Sequence, residues 1–595
     1  MKILCFAPHA AIWVHAFPEA LVIEALKQSG HEIVYVTCGG VFAKLCVSMG
    51  VYNVGIDASA EAKKAICGGC EKNAEIIRSE FGFSGPALAT ILTPEDRAWV
   101  KATLERTTQK NFLSLTDEGV ELGRAALSHF LINNKKNNLQ FSDADWRRYL
   151  TDLENTLLSY AACRKLFDNE RPDRVLVYTS AYSVNFVCCE IARMRGIPHY
   201  YVAAAGNLSD RLQRLVLARG HAVDYQKNNI AHWPKYCNVP VSAEDVHYTA
   251  DHVLELLSGS SPLVYSSPSR GLSSDLRSYF GVRPGQKVIA AMTSSHDEIF
   301  ASQICGLWPT NARSAFPSVI EWIRALVAYV ATRSDLFLII RVHPREFPNR
   351  RDAIKSEHAL MLQRELTSLP ENVRVNWPTD KISLYDLACI TDVGLNAWSS
   401  AGKELSLFGI PVVSYAPDFL IYPENLNYSA TNPTDYFVQI ESALCDGWSV
   451  EIARRAFRWF TLEYGRAMLD LSESVFFNET RQRSFFERAV RRGLRAIAPQ
   501  YSQQSDCRRR AMTLRQREMI DALVTSGKIS VLDLIDPGQV SGATLEEETK
   551  ALRRAFQRIA GALARGRSLA NDDGLVGRMA AFAEARVASL GGRHE

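Results

Sequence analysis

Asn396-Ala397-Trp398-Ser399-Ser400-Ala401-Gly402-Lys403-Glu404 is the segment whose residue types and spacing say most about chemistry in this chain. It follows a short apolar stretch that reads as a strand, and it opens a helix. Unpaired backbone N–H groups and the positive end of the helix dipole face outward at such a junction. Asn396 closes the strand. Ser399 and Ser400 offer hydroxyls to a phosphate, Gly402 lets a ligand approach the backbone, and Glu404, one turn in, can accept hydrogen bonds from ribose hydroxyls. A diphosphate suits this arrangement. An ordinary serine cap with a solvated glutamate suits the same residues.

Two further strand ends carry polar clusters. Arg341-Val342-His343-Pro344-Arg345-Glu346 closes the apolar run Leu336 to Ile340. Arg341 and Arg345 can neutralise phosphate, since a planar guanidinium binds it bidentately, and His343 can hydrogen-bond phosphate or sugar. A solvated loop is the alternative. Thr293-Ser294-Ser295-His296-Asp297-Glu298 follows the strand Lys287 to Met292, where Asp297 or Glu298 can act as a general base or simply cap the strand end. Earlier in the chain, His9 and His15 flank the loop after the first strand and are further base candidates. A structural histidine is the commoner case. Ser180, Asn185, Gly206 and Asn207 follow later strands and are placed on an acceptor groove.

These clusters need a scaffold that puts strand ends together, and the hydrophobic pattern supplies one. Short apolar runs at Lys2–Ala7, Glu32–Thr37, Arg174–Thr179 and His199–Val202 alternate with helical stretches, as in a doubly wound α/β domain. A second series begins at Lys287 and shows five strands alternating with helices up to Tyr415. The fold class is therefore α/β, with two Rossmann-like domains facing a cleft. Ligands in such sheets sit at the carboxyl ends of the strands, where the polar clusters fall. We divide the chain into 1–270 (with a helical insertion at about 61–166), 271–498, whose stretch from Val450 to Ala496 reads as helical, and a helical extension 499–595, with a Ser-, Gly- and Pro-rich linker from Ser258 to Ser274.

A formal net charge of +3 over 595 residues argues against nucleic acid as the main partner. No stretch reaches the roughly 18 to 20 apolar residues that span a bilayer, and Met1 to Pro8 reads as a buried strand rather than a signal peptide. The thirteen cysteines, scattered and odd in number, fit a reducing compartment, so the expected location is the cytoplasm. Cys67-Gly68-Gly69-Cys70 has the spacing of a metal knuckle, with Cys38 and Cys46 as the other two ligands of a structural zinc; free buried thiols are the alternative. The tail mixes Arg-rich turns with apolar stripes such as Leu552 to Leu563. It reads as a membrane-docking surface at the inner membrane, or as an amphipathic bundle packed on the second lobe.

The second lobe, about 287–444, resembles the capsular-polysaccharide-biosynthesis group of GT-B glycosyltransferases, which includes bacterial capsule Kdo transferases. The residues that carry the resemblance are Arg341-Val342-His343-Pro344, Ser383-Leu384-Tyr385 before a helix, Ser399 to Glu404, Gly409-Ile410-Pro411-Val412-Val413 and Glu321-Trp322-Ile323. It implies a GT-B fold and transfer from a nucleotide-activated sugar to a glycan or glycolipid acceptor of a capsule or lipopolysaccharide, by an inverting route. It also implies that His343, Ser383 and the Ser399–Glu404 helix hold the nucleotide, and that no cofactor or divalent metal is required. Other readings are a nucleotide-sugar epimerase of the same shape, a polyol-phosphate transferase of the teichoic-acid type (against which stands the lack of a second His-Pro pair), and a non-catalytic scaffold.

Overall fold

The computed structural model of the protein describes residues 1–261, 264–270, 275–349, 353–477, 486, 489–490, 507–509, 512–536, 542–564 and 574–585. Strands β1 (Lys2–Phe6), β2 (Glu32–Val36), β3 (Arg174–Tyr178), β4 (His199–Ala204) and β5 (Arg214–Arg219) build the first sheet. Most of their residues are buried, which is why they read as nearly unbroken apolar runs. The order across the sheet is β12-β5-β4-β3-β1-β2, where β12 is Leu469–Asp470. Four neighbouring strands run parallel, while β5 and β12 are antiparallel additions that the sequence pattern did not announce.

The second sheet contains β6 (Lys287–Met292), β7 (Leu336–Arg341), β8 (Val373–Asn376), β9 (Val393–Asn396), β10 (Val412–Ser414) and β11 (Tyr428–Ser429), in the order β11-β10-β9-β6-β7-β8. Every pairing in it is parallel. Five of these strands match the expected series, and β11 is a sixth. The chain therefore has two doubly wound parallel-sheet domains, the GT-B arrangement. In both sheets the strand order reverses at the first strand of the lobe: β1 lies between β2 and β3, and β6 lies between β7 and β9. Loops leaving the carboxyl ends on either side of such a strand splay apart, and the crevice they leave is where ligands bind.

Between β2 and β3 lie the helices Ala60–Phe81, Pro94–Arg106, Leu122–Asn134 and Asp143–Glu170, in the segment expected to be a helical insertion. The helix Leu122–Asn134 reaches the second lobe. Just past its end, Lys135 Nζ donates to the Phe347 and Ile354 carbonyls at 3.2 and 2.7 Å, and Lys136 pairs with Glu357.

The C-terminal third departs from expectation. The stretch 450–496 was expected to be helical, but the helix Val450–Phe460 runs into a π-helical turn, Thr461–Arg466, and then into β12, which rejoins the first sheet. The chain thus returns to the first lobe well before residue 498. Beyond residue 499, where no strand was expected, Cys507–Arg509 pairs with Val475–Phe477. The helix Leu514–Ser526 packs on the first lobe, where the Tyr200 hydroxyl donates to the Val524 carbonyl at 3.1 Å and His31 meets Asp521 at 2.6 Å.

The helix Leu545–Ala564 buries the stripe that was read as a membrane-docking face. Leu552, Phe556, Ile559 and Leu563 are all buried in the main core. That stripe is closed to lipid. Among the described residues no helix is long and apolar enough to cross a membrane.

One ion cluster holds this helix down. Fully buried Glu548 accepts from Arg454 and Arg458 at 2.7 to 2.8 Å, and from the Val241 N–H at 3.1 Å. Desolvation would raise its carboxyl pKa, but the hydrogen bonds from Arg458 and Arg454 outweigh that and hold it below the usual range. Glu548→Leu leaves the buried Arg458 guanidinium without an anion and Arg454 with only the exposed Glu451, and the expected cost is about 3–5 kcal/mol in urea unfolding. A depressed carboxyl stabilises above its unfolded value. The gap between wild type and variant should therefore narrow as pH falls from about 4.3 through the lower folded value.

Candidate functional site

Backbone register brings the second-lobe clusters together. Met292 of β6 lies beside Arg341 of β7 and beside Asn396 of β9, so three carboxyl ends are level. Side chains then lace the loops that follow. Thr293 Oγ1 accepts the His343 N–H at 2.9 Å, and Ser294 Oγ accepts the Trp398 N–H at 3.1 Å. Above them is a cavity of about 280 Å³ lined from the second lobe by Thr293, Arg341, His343, Tyr385, Ser399, Ser400 and Glu404. From the other side come Gly206, Leu208, Arg211 and His252, with Tyr265 and Ser266 of the linker and Tyr464 of the π-helical turn. A second chamber of about 360 Å³ opens beside it and shares Val264, Tyr265, Ser266, Arg341 and Pro344. Arg341, His343 and Ser399 share one crevice between the lobes.

The electrostatics favour an anion. Burial lowers the Arg341 guanidinium to about 10, which leaves it charged at neutral pH. It donates to Asn376, to the Ile382 carbonyl at 3.0 Å and to Ser266 Oγ at 3.4 Å. These bonds fix its position at the wall. Burial also lowers His343 to about 4, so its ring is neutral. Its Nδ1 accepts the Arg345 N–H at 3.3 Å, and the ring proton must then sit on Nε2, which makes that nitrogen a donor. His252 repeats the arrangement: burial lowers it to about 3, and its Nδ1 accepts the Leu208 N–H at 3.2 Å. Glu404 is held by Ser400 Oγ at 2.8 Å and by the Tyr385 hydroxyl at 3.0 Å.

Four expected donor contacts turn out to be scaffold. Arg345 points away from the cavity: it pairs with Asp297, donates to Ser295 Oγ at 2.9 Å, and reaches the Ile132 carbonyl of the first lobe at 2.7 Å. Ser383 is fully buried and caps its own helix through the Tyr385 N–H at 3.2 Å. Asn396 is fully buried and braces the loop, donating to the Ser399 carbonyl at 3.0 Å and the Tyr422 hydroxyl at 2.9 Å. A Cβ on Gly402 would lie 2.0 Å from that same hydroxyl. The glycine makes room for the protein's own network rather than for a ligand. The helix it belongs to, Ala401–Leu407, is only seven residues long, and Ser399 Oγ already takes the Ala401 N–H at 3.2 Å. Hydroxyls and cationic side chains, not a long helix dipole, equip this crevice.

The base candidates also move. Asp297 is buried in its pair with Arg345 and does not line the cavity, because the guanidinium needs that carboxylate as its buried counterion. Glu298 sits 3.5 Å from the Arg345 Nε, also outside the cavity lining. Burial lowers His9 to about 3 and His15 to about 4. Neither lines the cavity, yet His15 stacks on Tyr178 at 4.3 Å and feels the charge of Arg211, which does. The acceptor-side residues Ser180, Asn185 and Asn207 are buried and lie outside the cavity; Asn207 holds its loop through the Tyr248 carbonyl at 3.1 Å and Ser209. Their neighbour Gly206 is the residue that lines it.

Cys38, Cys46, Cys67 and Cys70 share one first-lobe cavity, but they do not fit a structural zinc. Among the described residues no group of three or more His, Cys, Asp or Glu side chains is arranged to hold a metal ion. The four thiols are free.

No motif or spacing marked Arg211, His252, Tyr265, Ser266 or Tyr464, all of which line the cavity. Tyr265 and Ser266 sit in low-complexity sequence that read as a passive linker. Tyr464 depends on the π-helical turn, a feature that often marks function but has no sequence period of its own. Lys403 supports it: buried beside Glu463, its ammonium lies 5.0 Å from the Tyr464 ring centre.

The fold and site define a two-lobed α/β protein with an interlobe crevice lined by guanidinium, imidazole and hydroxyl groups. No protein-family model and no curated protein matches the chain. Among solved structures, it is similar to the spinosyn rhamnosyltransferase SpnG at 12% identity, over 78% of this chain and 96% of that one, with a TM-score of 0.24. A beta Kdo 2,4 transferase, KpsC of Thermosulfurimonas dismutans, is similar at 12% identity over 49% and 80%, with a TM-score of 0.27. The UDP-GlcNAc 2-epimerase of Neisseria meningitidis is similar at 12% over 80% and 98%, with a TM-score of 0.25. At these values the likenesses add nothing to what the geometry gives.

A Cβ on Gly206 would lie 2.2 Å from the Tyr464 ring. Gly206→Ala should push the ring into the cavity and weaken binding of a nucleoside diphosphate roughly tenfold by calorimetry. Adding Tyr464→Ala should restore part of that loss.

Proposed function

We propose that the protein is a GT-B glycosyltransferase that takes a sugar from a nucleotide-activated donor. The observation that carries this reading is the shared crevice in which Arg341, His343, Ser399, Ser400 and Glu404 face Arg211 and His252. In it the donor diphosphate lies against Arg341, the His343 Nε2–H and the two serine hydroxyls, with Glu404 accepting from ribose. The adjoining chamber takes the remainder of the nucleotide. The acceptor hydroxyl attacks the anomeric carbon while the carbon–oxygen bond to phosphate breaks, and the leaving phosphate takes the electron pair. Cationic and N–H groups already in place stabilise that charge, so this reading calls for no divalent metal.

The acceptor proton goes to a first-lobe base. Of the four sequence candidates, His15 is the one whose surroundings reach the cavity, through Arg211, and attack from that side opposite the phosphate inverts the sugar. We assign the acceptor to a glycan or glycolipid of a surface polysaccharide, handled in the cytoplasm at the inner membrane.

Incubation with UDP-, CMP-, GDP- and CDP-activated sugars tests the reading. Donor hydrolysis or transfer supports it, interconversion of the donor makes the chain an epimerase, and no nucleotide binding by calorimetry removes it. With an active donor, His343→Ala should lower kcat/KM by roughly 10- to 100-fold, about the worth of a hydrogen bond to a charged group. Because His343 is already neutral above about pH 4, its contribution should stay flat from pH 5 to 9. A loss that tracks deprotonation near pH 6.5 would show that an imidazolium does the work instead.

A further inference from the structure

A second opening, at the carboxyl edge of the first sheet, stands apart from the crevice between the lobes. A cavity of about 410 Å³ lies between the loop after β1, the turn after β2 and one face of the helix Ala60–Phe81. That volume is in the range of small-molecule sites, roughly 300–1,000 Å³. Its helical wall carries Ile66, Cys67, Cys70 and Ala74, with Arg78 at one end and the exposed Glu71 and Glu75 at its rim, and Cys38, Cys46 and Phe42 close the other side. Burial pushes Cys46 to about 11 and Cys70 to about 12, so the sulfur wall is uncharged at neutral pH. Neutral thiols are polarisable, weakly hydrogen-bonding surface that suits hydrocarbon better than sugar.

Inside the rim carboxylates, two buried polar atoms of this lining lack partners. Ser48 is 1% exposed and lines the cavity, and its hydroxyl has no hydrogen-bond partner. The Arg78 Nε–H is likewise buried without one, although the Nη2 of the same guanidinium donates to Thr37 Oγ1 at 3.1 Å and to the Gly85 carbonyl at 3.0 Å. A buried hydroxyl and a buried N–H without partners cost free energy unless something supplies an oxygen to them.

The loop that closes the cavity leads into the helix that carries His15. Pro8 and Ala10 line the cavity, the Ala10 carbonyl is held by Asn73 Nδ2 at 2.9 Å, and between them stands His9. A turn later comes His15, within the field of Arg211.

We propose that this chamber binds a compact, mainly apolar molecule carrying a hydroxyl or carbonyl oxygen that meets Ser48 and Arg78. If the transferase reading holds, on which this second step rests, the chamber seats the apolar body of the acceptor. The acceptor is then a glycolipid or another apolar alcohol rather than a free oligosaccharide.

The test is a titration of the full chain with 1-naphthol, followed by its fluorescence and by protection of Cys67, the less buried thiol of the helical wall, from N-ethylmaleimide, read by mass spectrometry. Saturable binding with protection of Cys67 is expected, while maltotriose gives neither. Ala74→Phe, which fills the chamber, should abolish both signals and leave nucleotide binding at wild-type affinity. Ser48→Ala, a milder change that keeps the proposal testable if the first variant does not fold, should weaken binding roughly tenfold. Absence of saturable binding, equal protection by maltotriose, or binding that Ala74→Phe or Ser48→Ala leaves intact overturns the proposal. Naphthol binding without hydrolysis of any activated sugar would instead sink the transferase reading and leave the chamber standing.

Discussion

The Arg345 guanidinium is the point at which the two lobes and the site become one structure. It is almost fully buried, and a buried cation survives only with an anion and carbonyls around it. Asp297 after β6 and Ser295 supply those on its own lobe, and the Ile132 carbonyl supplies one from the helical insertion. The Arg345 backbone N–H meanwhile sets the tautomer of His343. One residue thereby fixes the spacing of the lobes, the loop after β7 and the direction of a ring proton. Asp297 is committed to this pairing, which removes it from proton transfer during a reaction.

Much of the scaffold was legible because buried parallel strands announce themselves. Lys287–Met292 has the bounds read from its apolar run, Leu336–Arg341 extends its run by one residue, and the second sheet differs mainly by the two-residue strand Tyr428–Ser429. The antiparallel strands β5 and β12 were not legible. Arg214–Arg219 begins and ends in arginine, and Leu469–Asp470 is too short to carry a pattern. The expected all-helical reading of 450–496 failed at Thr461, where side chains that suit an α-helix settle into a wider turn because Lys403, Glu463 and the aromatic rings of Phe460 and Tyr464 pack there.

The candidate site was half legible. Polar residues that end buried strands marked Arg341, His343, Ser399, Ser400 and Glu404, all of which line the crevice. The same rule also marked Arg345, Ser383, Asn396 and Gly402, which hold the walls in place. A strand end shows that a side chain is near the cleft but not which way it turns, and that direction is set by partners far off in sequence, such as Ile132 or Tyr422. The first-lobe contribution was the least visible. Arg211 and His252 lie in a loop and a helix without any motif.

The chain passes between the lobes twice beside the crevice, once through Val264 to Ser266 and once through Tyr464, and both passages line it. Two covalent straps at one place make that place a pivot. Any opening of the jaws turns about a line through these straps, so the outer lips swing widely while the floor scarcely shifts. A bound molecule would rest near the axle of the motion, keeping its anchors while solvent is admitted or shut out around it.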